Sequence, residues 1–470
     1  MQTLVTYSFF TTTELYMIAY TLAFLLYACI LIGAGLYGYY KTSASDDFGS
    51  GGRTVNYWIT ALSAHAADVS IWLFFGLPGA VYLQGLEECW TIVGLLGGMW
   101  FVWHFIAPRL RAASEKTNST TLTHFLCTVA GDTQGYLTIV SSLLLAFFFL
   151  FYVAVGFSGA GTILEYSFGL PYWMGTIISA LIVTAYISLG GHLTVALVDA
   201  FQAVFLLGMI LMVPFITAWH IYHGTGFTAL PALSTHFTFK SSLAAGIANA
   251  FAWGIGYIGM PHILTKFMSI DSVANVRKAQ YVGLTFQVLA YGSSAAIGIL
   301  AHWYFTTPPA SSQALFLTMV TSQCAALLAG FILCAVLAAA LSTLDAQLIV
   351  CASVIAKDVC KAKSPRAIRF WTRLSTIILA SLGTWLALTN QHTLHETVRY
   401  AWQGLGSTFA PLVLMSLFAP KRLTTPSALF GILIGGLTAA FWPTWGPCLT
   451  YAPLLPGVLS GFTAMYFFPW

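Results

Sequence analysis

Apolar residues in this chain come in long, continuous runs separated by short polar breaks, with no residue-by-residue alternation. A run of about 17 to 25 apolar residues can cross the hydrocarbon core of a bilayer as a helix, whereas a barrel strand alternates with period two. The pattern predicts helices over 13–40, 56–83, 89–107, 135–163, 171–189, 199–222, 241–266, 279–304, 318–356, 370–390, 397–419, 425–443 and 449–469. This is the layout of an all-α integral membrane protein with about 13 transmembrane helices. The longest hydrophilic pieces, 222–240 and 357–373, are too short for a soluble domain, so residues 1–470 form a single transmembrane domain.

Charge orients the layout. With the N-terminus outside, the inward-facing connections and their edges hold Lys41, Arg53, Arg109, Arg111, Lys116, Lys266, Arg277, Lys278, Lys357, Lys361, Lys363, Arg366, Arg369, Arg373, Lys421 and Arg422. Of the 18 basic residues, only Lys240 and Arg399 remain outside. Such asymmetry sets membrane orientation and gives an N-out, C-in chain. Composition agrees: 58% of residues are hydrophobic and 7% charged, against about 25% charged in a soluble protein. The net charge of +4 reflects topology and gives no reason to expect nucleic acid. No protein partner is implied beyond the lipid bilayer. The first residues, MQTLVTYSFFTTTELYMIAY, lack a basic leader and a small-residue cleavage site, and are expected to enter the first span. The 8 cysteines form no CxxC and read as small buried apolar groups. GAGLYG (33–38) matches a dinucleotide fingerprint in letters only, because it lies inside the first run with no strand before it.

Two runs are broken. ALSAHAADVSIWLFFGLPGAVYL (61–83) carries Ser63, His65, Asp68 and Ser70, with interruptions expected around 65–70 and at Pro78. An aspartate at mid-membrane is unfavourable by about 2.5–3.5 kcal/mol on insertion scales and marks function. AFAWGIGYIGMPHIL (250–264) holds Gly254, Gly256, Gly259 and Pro261. Setting the first run aside leaves two sets of five, 56–222 and 241–419, each opening with its broken helix and followed by two additional helices in 425–470. Matching broken helices in two halves are the best pointer to a transport site, since unwound carbonyls coordinate cations and half-helix N-termini attract anions. In AVLAAALSTLDAQLIV (335–350), Ala339, Ser342 and Thr343 share one helical face. From the residues alone, two readings stay open. They form a hard-oxygen corner for a small cation, or the hydroxyls bond only their own i−4 carbonyls.

These segments resemble the sodium/solute symporters, and within them the sodium/proline branch. The likeness runs through GGR (51–53), ALSAHAADVS, GLPGAVYL (76–83), WGIGYIGMPHI (253–263), AAALSTLDAQLIV (338–350) and AWQGLGSTFAPLVL (401–414), in order. The resemblance implies a LeuT-type five-plus-five inverted repeat with broken helices. It also implies sodium-coupled symport by alternating access of a small organic solute, proline or a similar amino acid, across a prokaryotic inner membrane. Sodium would be the co-transported ion, held by the carbonyls of Ala66, Val69 and Ala339 and the hydroxyls of Ser342 and Thr343, with Asp68 and Asp199 supporting. Ser70, Tyr152, Trp253, Tyr257, Met260 and Pro261 would line the solute site. The chain departs from the proline branch at Met260 (glutamine there), at Ile71 and His65 (glycines), and at Asp345 (small or hydroxylic), so selectivity is expected to differ. Asp345 lies three residues after Ser342 and would add charge to the cation route.

The alternatives are a proton-coupled carrier using Asp68, Asp199 or Asp345, or a solute sensor or channel. The serine–threonine pair speaks for sodium against the first. An enzyme is not expected: HTLHE (392–396) is not a metalloprotease motif, and the membrane aspartates lie on separate runs.

Overall fold

The computed structural model describes residues 12–42, 51–224, 242–305, 309, 311–389, 394–442 and 454–467. Among these the chain is helical throughout, apart from one isolated parallel bridge between Val55 and Ile270. Lys240 and the HTLHE segment's first two residues lie outside the described residues.

The first run forms α1 (Thr12–Thr42). The second forms α2 (Tyr57–Val69) and α3 (Gly76–Gln84), joined by a single 3-10 turn at Ile71–Leu73. Next come α4 (Cys89–Phe101), a π-turn, α5 (Ala107–Lys116), the short α6 (Leu122–Val129) and α7 (Tyr136–Phe168). Helix α8 (Tyr172–Gly224) holds two predicted runs and kinks at Gly191, whose φ of 65° suits only a residue without Cβ. The second broken run forms α9 (Leu243–Ile258) and α10 (Pro261–Ser269), bent by 51°. Then follow α11 (Val273–Tyr304), α12 (Ser312–Gln323), α13 (Ala326–Val354), α14 (Pro365–Thr389), α15 (Leu394–Phe418), α16 (Thr425–Phe441) and α17 (Leu454–Phe467).

Among the described residues, six helices are long and apolar enough to cross a membrane, or seven with the bent α9–α10 pair counted as one. Burial sorts centre from rim: 78% of the most apolar window is buried for α13, against 17% for α1. With no water outside to drive burial, helices in a bilayer associate through close packing of small residues. A Cβ on Gly94 would lie 2.1 Å from the Ala250 carbonyl oxygen, and one on Gly98 would lie 2.3 Å from that of Gly254, so α4 and α9 meet backbone to backbone.

Two boundaries and one charge differ from the pattern. The run at 318–356 divides into the end of α12 and α13, because Cys324 and Ala325 interrupt it. The run placed at 199–222 begins instead at the Gly191 kink. Lys266, counted among the edge charges, lies inside the protein at 1% exposure.

Candidate functional site

The break in the second run does not begin at 65. Helix α2 continues through His65 and Asp68 to Val69, and the chain turns at Ser70, where φ is 44°. A non-glycine residue there is strained by about 1–3 kcal/mol. Its hydroxyl accepts a hydrogen bond from the Trp72 amide at 3.2 Å, which replaces a helical partner. Pro78 is no second break, since it sits in the first turn of α3, where a missing N–H is harmless.

Helix α11 holds the unwound stretch from the side. Gln287 Nε2 donates to Asp68 Oδ2 at 2.7 Å, Tyr291 donates to the same oxygen at 3.4 Å, and Ser294 Oγ donates to the Leu73 carbonyl at 2.7 Å. Spacings of four and three put these residues on one face. In sequence the only signal of this role is the polar spacing itself within an apolar run.

Helix α13 meets α2 at its last turn. Ser342 Oγ donates to the Ala66 carbonyl at 2.8 Å and approaches the Ala339 carbonyl at 3.3 Å, while Thr343 Oγ1 donates to Ala339 at 3.2 Å. Four oxygens from two helices thus converge, all on residues at most 3% exposed. Both readings of the pair are present in this geometry: the hydroxyls use carbonyls of their own helix, and Ser342 also reaches across to α2. Val69 lies one turn beyond Ala66, at 1% exposure. Hard, neutral oxygens of this kind suit a small monovalent cation better than a transition metal.

Asp199 lies inside its helix rather than at its start. It stands two turns into the segment after Gly191, 0% exposed. Its Oδ2 accepts from Lys266 Nζ at 2.8 Å and from Ser63 Oγ at 3.0 Å, joining α8, α10 and α2. Of the ion pairs among the described residues, this is the fully buried one. Asp345 is also buried and accepts from the Tyr186 hydroxyl. Lys266 and Tyr186 carried no motif that would have singled them out.

On the solute side, Met260 and Pro261 form the break between α9 and α10, Met260 buried and Pro261 at the first position of α10. Tyr152 stands on α7 and stacks edge-on to His262. Trp253 and Tyr257 lie on α9, with the Trp253 ring between those of Trp72 (5.9 Å) and Trp402 (6.2 Å), tilted to each. Two of the departures point elsewhere. His65 Nε2 accepts from Trp103 at 3.0 Å and fills the space that Gly283 leaves, and Ile71 packs onto Gly159 of α7.

The sodium:solute symporter family profile matches residues 48–435. The chain belongs to the sodium:solute symporter family. It is 33% identical over 446 residues to the high-affinity proline transporter PutP of Bacillus subtilis, covering 92% of this chain and 94% of that one. It is also 33% identical over 441 residues to a sodium/proline symporter of Haemophilus influenzae, covering 90% and 87%. Its fold resembles that of a substrate-bound, outward-open Na+-coupled sialic acid symporter, with a TM-score of 0.81 at 18% identity over 96% and 97% of the two chains. A second likeness is to the nucleobase-cation-symport-1 transporter Mhp1, with a TM-score of 0.57 at 14% identity over 89% and 92%. This symporter is therefore a multi-pass plasma-membrane transporter that couples a solute to sodium, not an enzyme, and its helices take the LeuT-type fold.

Proposed function

We propose that this symporter drives uptake of a small zwitterionic amino acid, proline foremost, by alternating access with sodium. The observation that carries the reading is the oxygen corner of Ala66, Ala339, Ser342 and Thr343, with Ala66 two residues before Asp68 at the break of the second run. The proline carriers among its relatives supply the solute class. Val69 completes the sodium ligands, and Asp68 and Asp199 support them by biasing the interior toward cations. Sodium replaces the Ser342 bridge to Ala66 with ion–oxygen contacts, tying α2 to α13 and holding the form that accepts solute from outside. Ser70, Tyr152, Trp253, Tyr257, Met260 and Pro261 line the solute site, where aromatic rings hold the apolar body and the two breaks meet the charged ends.

The topology that fits this cycle has thirteen spans, N-out and C-in. Repeats 56–222 and 241–419 are inverted relative to each other, and 425–470 adds two helices. One sodium ion crossing about 100 mV releases about 2.3 kcal/mol, and a tenfold sodium gradient adds about 1.4 kcal/mol. Together they sustain solute accumulation on the order of several hundredfold.

Uptake of labelled proline into proteoliposomes, with and without an inward sodium gradient, tests the reading alongside the double variant Ser342→Ala/Thr343→Ala. Sodium-dependent uptake is expected in the wild type, with a rise of about tenfold or more in the sodium concentration needed by the variant. Uptake that follows a proton gradient and ignores sodium would overturn the sodium site. Sodium-driven uptake of another solute but not proline would move the assignment to Met260 and its neighbours.

A further inference from the structure

Two polar groups near the second break have no partner. The Trp402 indole N–H and the Tyr257 hydroxyl are both buried, on residues 4% and 0% exposed, and neither finds a hydrogen-bond partner among the described residues. A buried donor left unsatisfied is unfavourable by about 1–3 kcal/mol and calls for an explanation. These two are neighbours, with ring centroids 6.2 Å apart. They belong to α15 and α9, which are pressed together where the chain is broken: a Cβ on Gly259 would lie 2.8 Å from the Gly406 Cα. A Cβ on Gly256 would lie 2.2 Å from Trp402 Nε1, so glycine alone lets the indole edge sit against this stretch.

The chemistry of the pair is one-sided. An indole N–H donates only, so its partner must be an acceptor. The N-terminus of α10 begins at the adjacent Pro261 and adds positive potential to the same place. Asp68 has the opposite character. It lies on the other broken helix and accepts from the Tyr291 hydroxyl, whose ring packs edge-on against Trp72. Between these two poles runs the aromatic series Trp72, Trp253 and Trp402.

We propose that Trp402 N–H and Tyr257 O–H form the carboxylate-binding end of the solute site, with Asp68 at the amino end, so that the site reads a zwitterion by its polarity. The assignment rests on the reading of the function given above and deepens it. Trp402 becomes a specificity-determining residue that the sequence motifs did not mark as such. A solute bound this way satisfies both orphan donors at once and places its hydrocarbon against the tryptophan rings.

The test is competition against labelled proline in sodium-containing proteoliposomes, using L-proline, L-prolinamide and pyrrolidine on the wild type, Trp402→Phe and Tyr257→Phe. Tyr257→Phe keeps the ring and removes only the hydroxyl, whereas Trp402→Phe removes the N–H together with the five-membered ring that carries it. In the wild type, proline is expected to compete better than either analogue. Each variant is expected to weaken proline by about ten- to a hundredfold, the range for a hydrogen bond to a charged group, while pyrrolidine changes little. The preference for the carboxylate would then collapse. Equal loss of all three ligands would mean a packing role and overturn the proposal, as would a preference that survives in both variants. If the wild type shows no sodium-dependent binding of proline, the parent reading fails and this inference with it; failure confined to the variants sinks the inference alone. Should Trp402→Phe not reach the membrane, Tyr257→Phe, which alters a single hydroxyl, decides by the same comparison.

Discussion

Lys266 and Asp199 share a hydrogen bond of 2.8 Å where neither meets solvent. Two charges taken out of water together can break even, but one left alone is strongly unfavourable. Lys266→Met is therefore expected to destabilise the symporter by about 3–5 kcal/mol, and the double variant Lys266→Met/Asp199→Asn to recover most of that loss. Thermal unfolding in detergent would show it, and a single variant no worse than the double would reduce the pair to a bystander. His65 and Ile71 teach a different lesson at this scale. In sequence both look like changes to the solute pocket, yet each is matched by a distant glycine, Gly283 for His65 and Gly159 for Ile71. A single sequence shows the added bulk and not the space made for it by these glycines.

At the scale of elements, the apolar runs lie on helices because a run long enough to span lipid has few other structures open to it. The breaks were less legible. Gly254, Gly256 and Gly259 all announced an interruption, but the helix continues through the first two, which serve close packing, and ends only at the third. Asp68 and His65 likewise suggested unwinding where there is regular helix, because a polar residue in an apolar run marks a site without marking its backbone. The face of α11 that carries Gln287, Tyr291 and Ser294 shows what such polar groups are for: they satisfy a stretch of chain that cannot satisfy itself. The α4–α9 contact yields a sharp expectation. Gly98→Val would push its side chain into the Gly254 carbonyl, forcing the helices apart by more than local repacking absorbs. Loss of at least about 1–3 kcal/mol in stability is expected, in the range for overpacking, and denaturation midpoints in detergent would measure it. Gly97→Val, on the same helix but with open space around its Cβ position, is the control and should be nearly silent.

Across the whole molecule, the two broken helices are fastened at one end. The Val55 amide donates to the Ser269 carbonyl at 3.2 Å, and the Asp271 amide donates to Val55 at 2.9 Å. Arg111 clasps the same place, donating to the Ile270 carbonyl at 2.7 Å and to that of Asp271 at 3.2 Å. Arg53 ties the approach to α2 to the end of α5 through the Ser114 and Ser119 carbonyls at 2.9 and 3.0 Å. In the proposed topology this is the cytoplasmic end, and opening it is the step that releases solute. Arg111→Ala is expected to favour the opened form by about 1.5–3 kcal/mol, the range for a charge-assisted hydrogen bond. A cysteine introduced at Ser63 should then label from the inside at least about tenfold faster than with Arg111 intact. Unchanged labelling would mean that the arginine carries none of the closure. By linkage, any such shift must weaken sodium and solute binding from the outside together, because both favour the opposite form.

The fastening itself is made of main chain. Its bonds run from the Val55 and Asp271 amides to the Ser269 and Val55 carbonyls; every residue supplies such a carbonyl, and every residue except proline such an amide. Heritable variation in this lineage can therefore retune the clasp only from its margins, at Arg53, Arg111 and the residues that seat them. Its innermost rung stays out of reach of nearly every point mutation, which gives a transporter free to diverge in what it carries a closure that drift cannot easily erode.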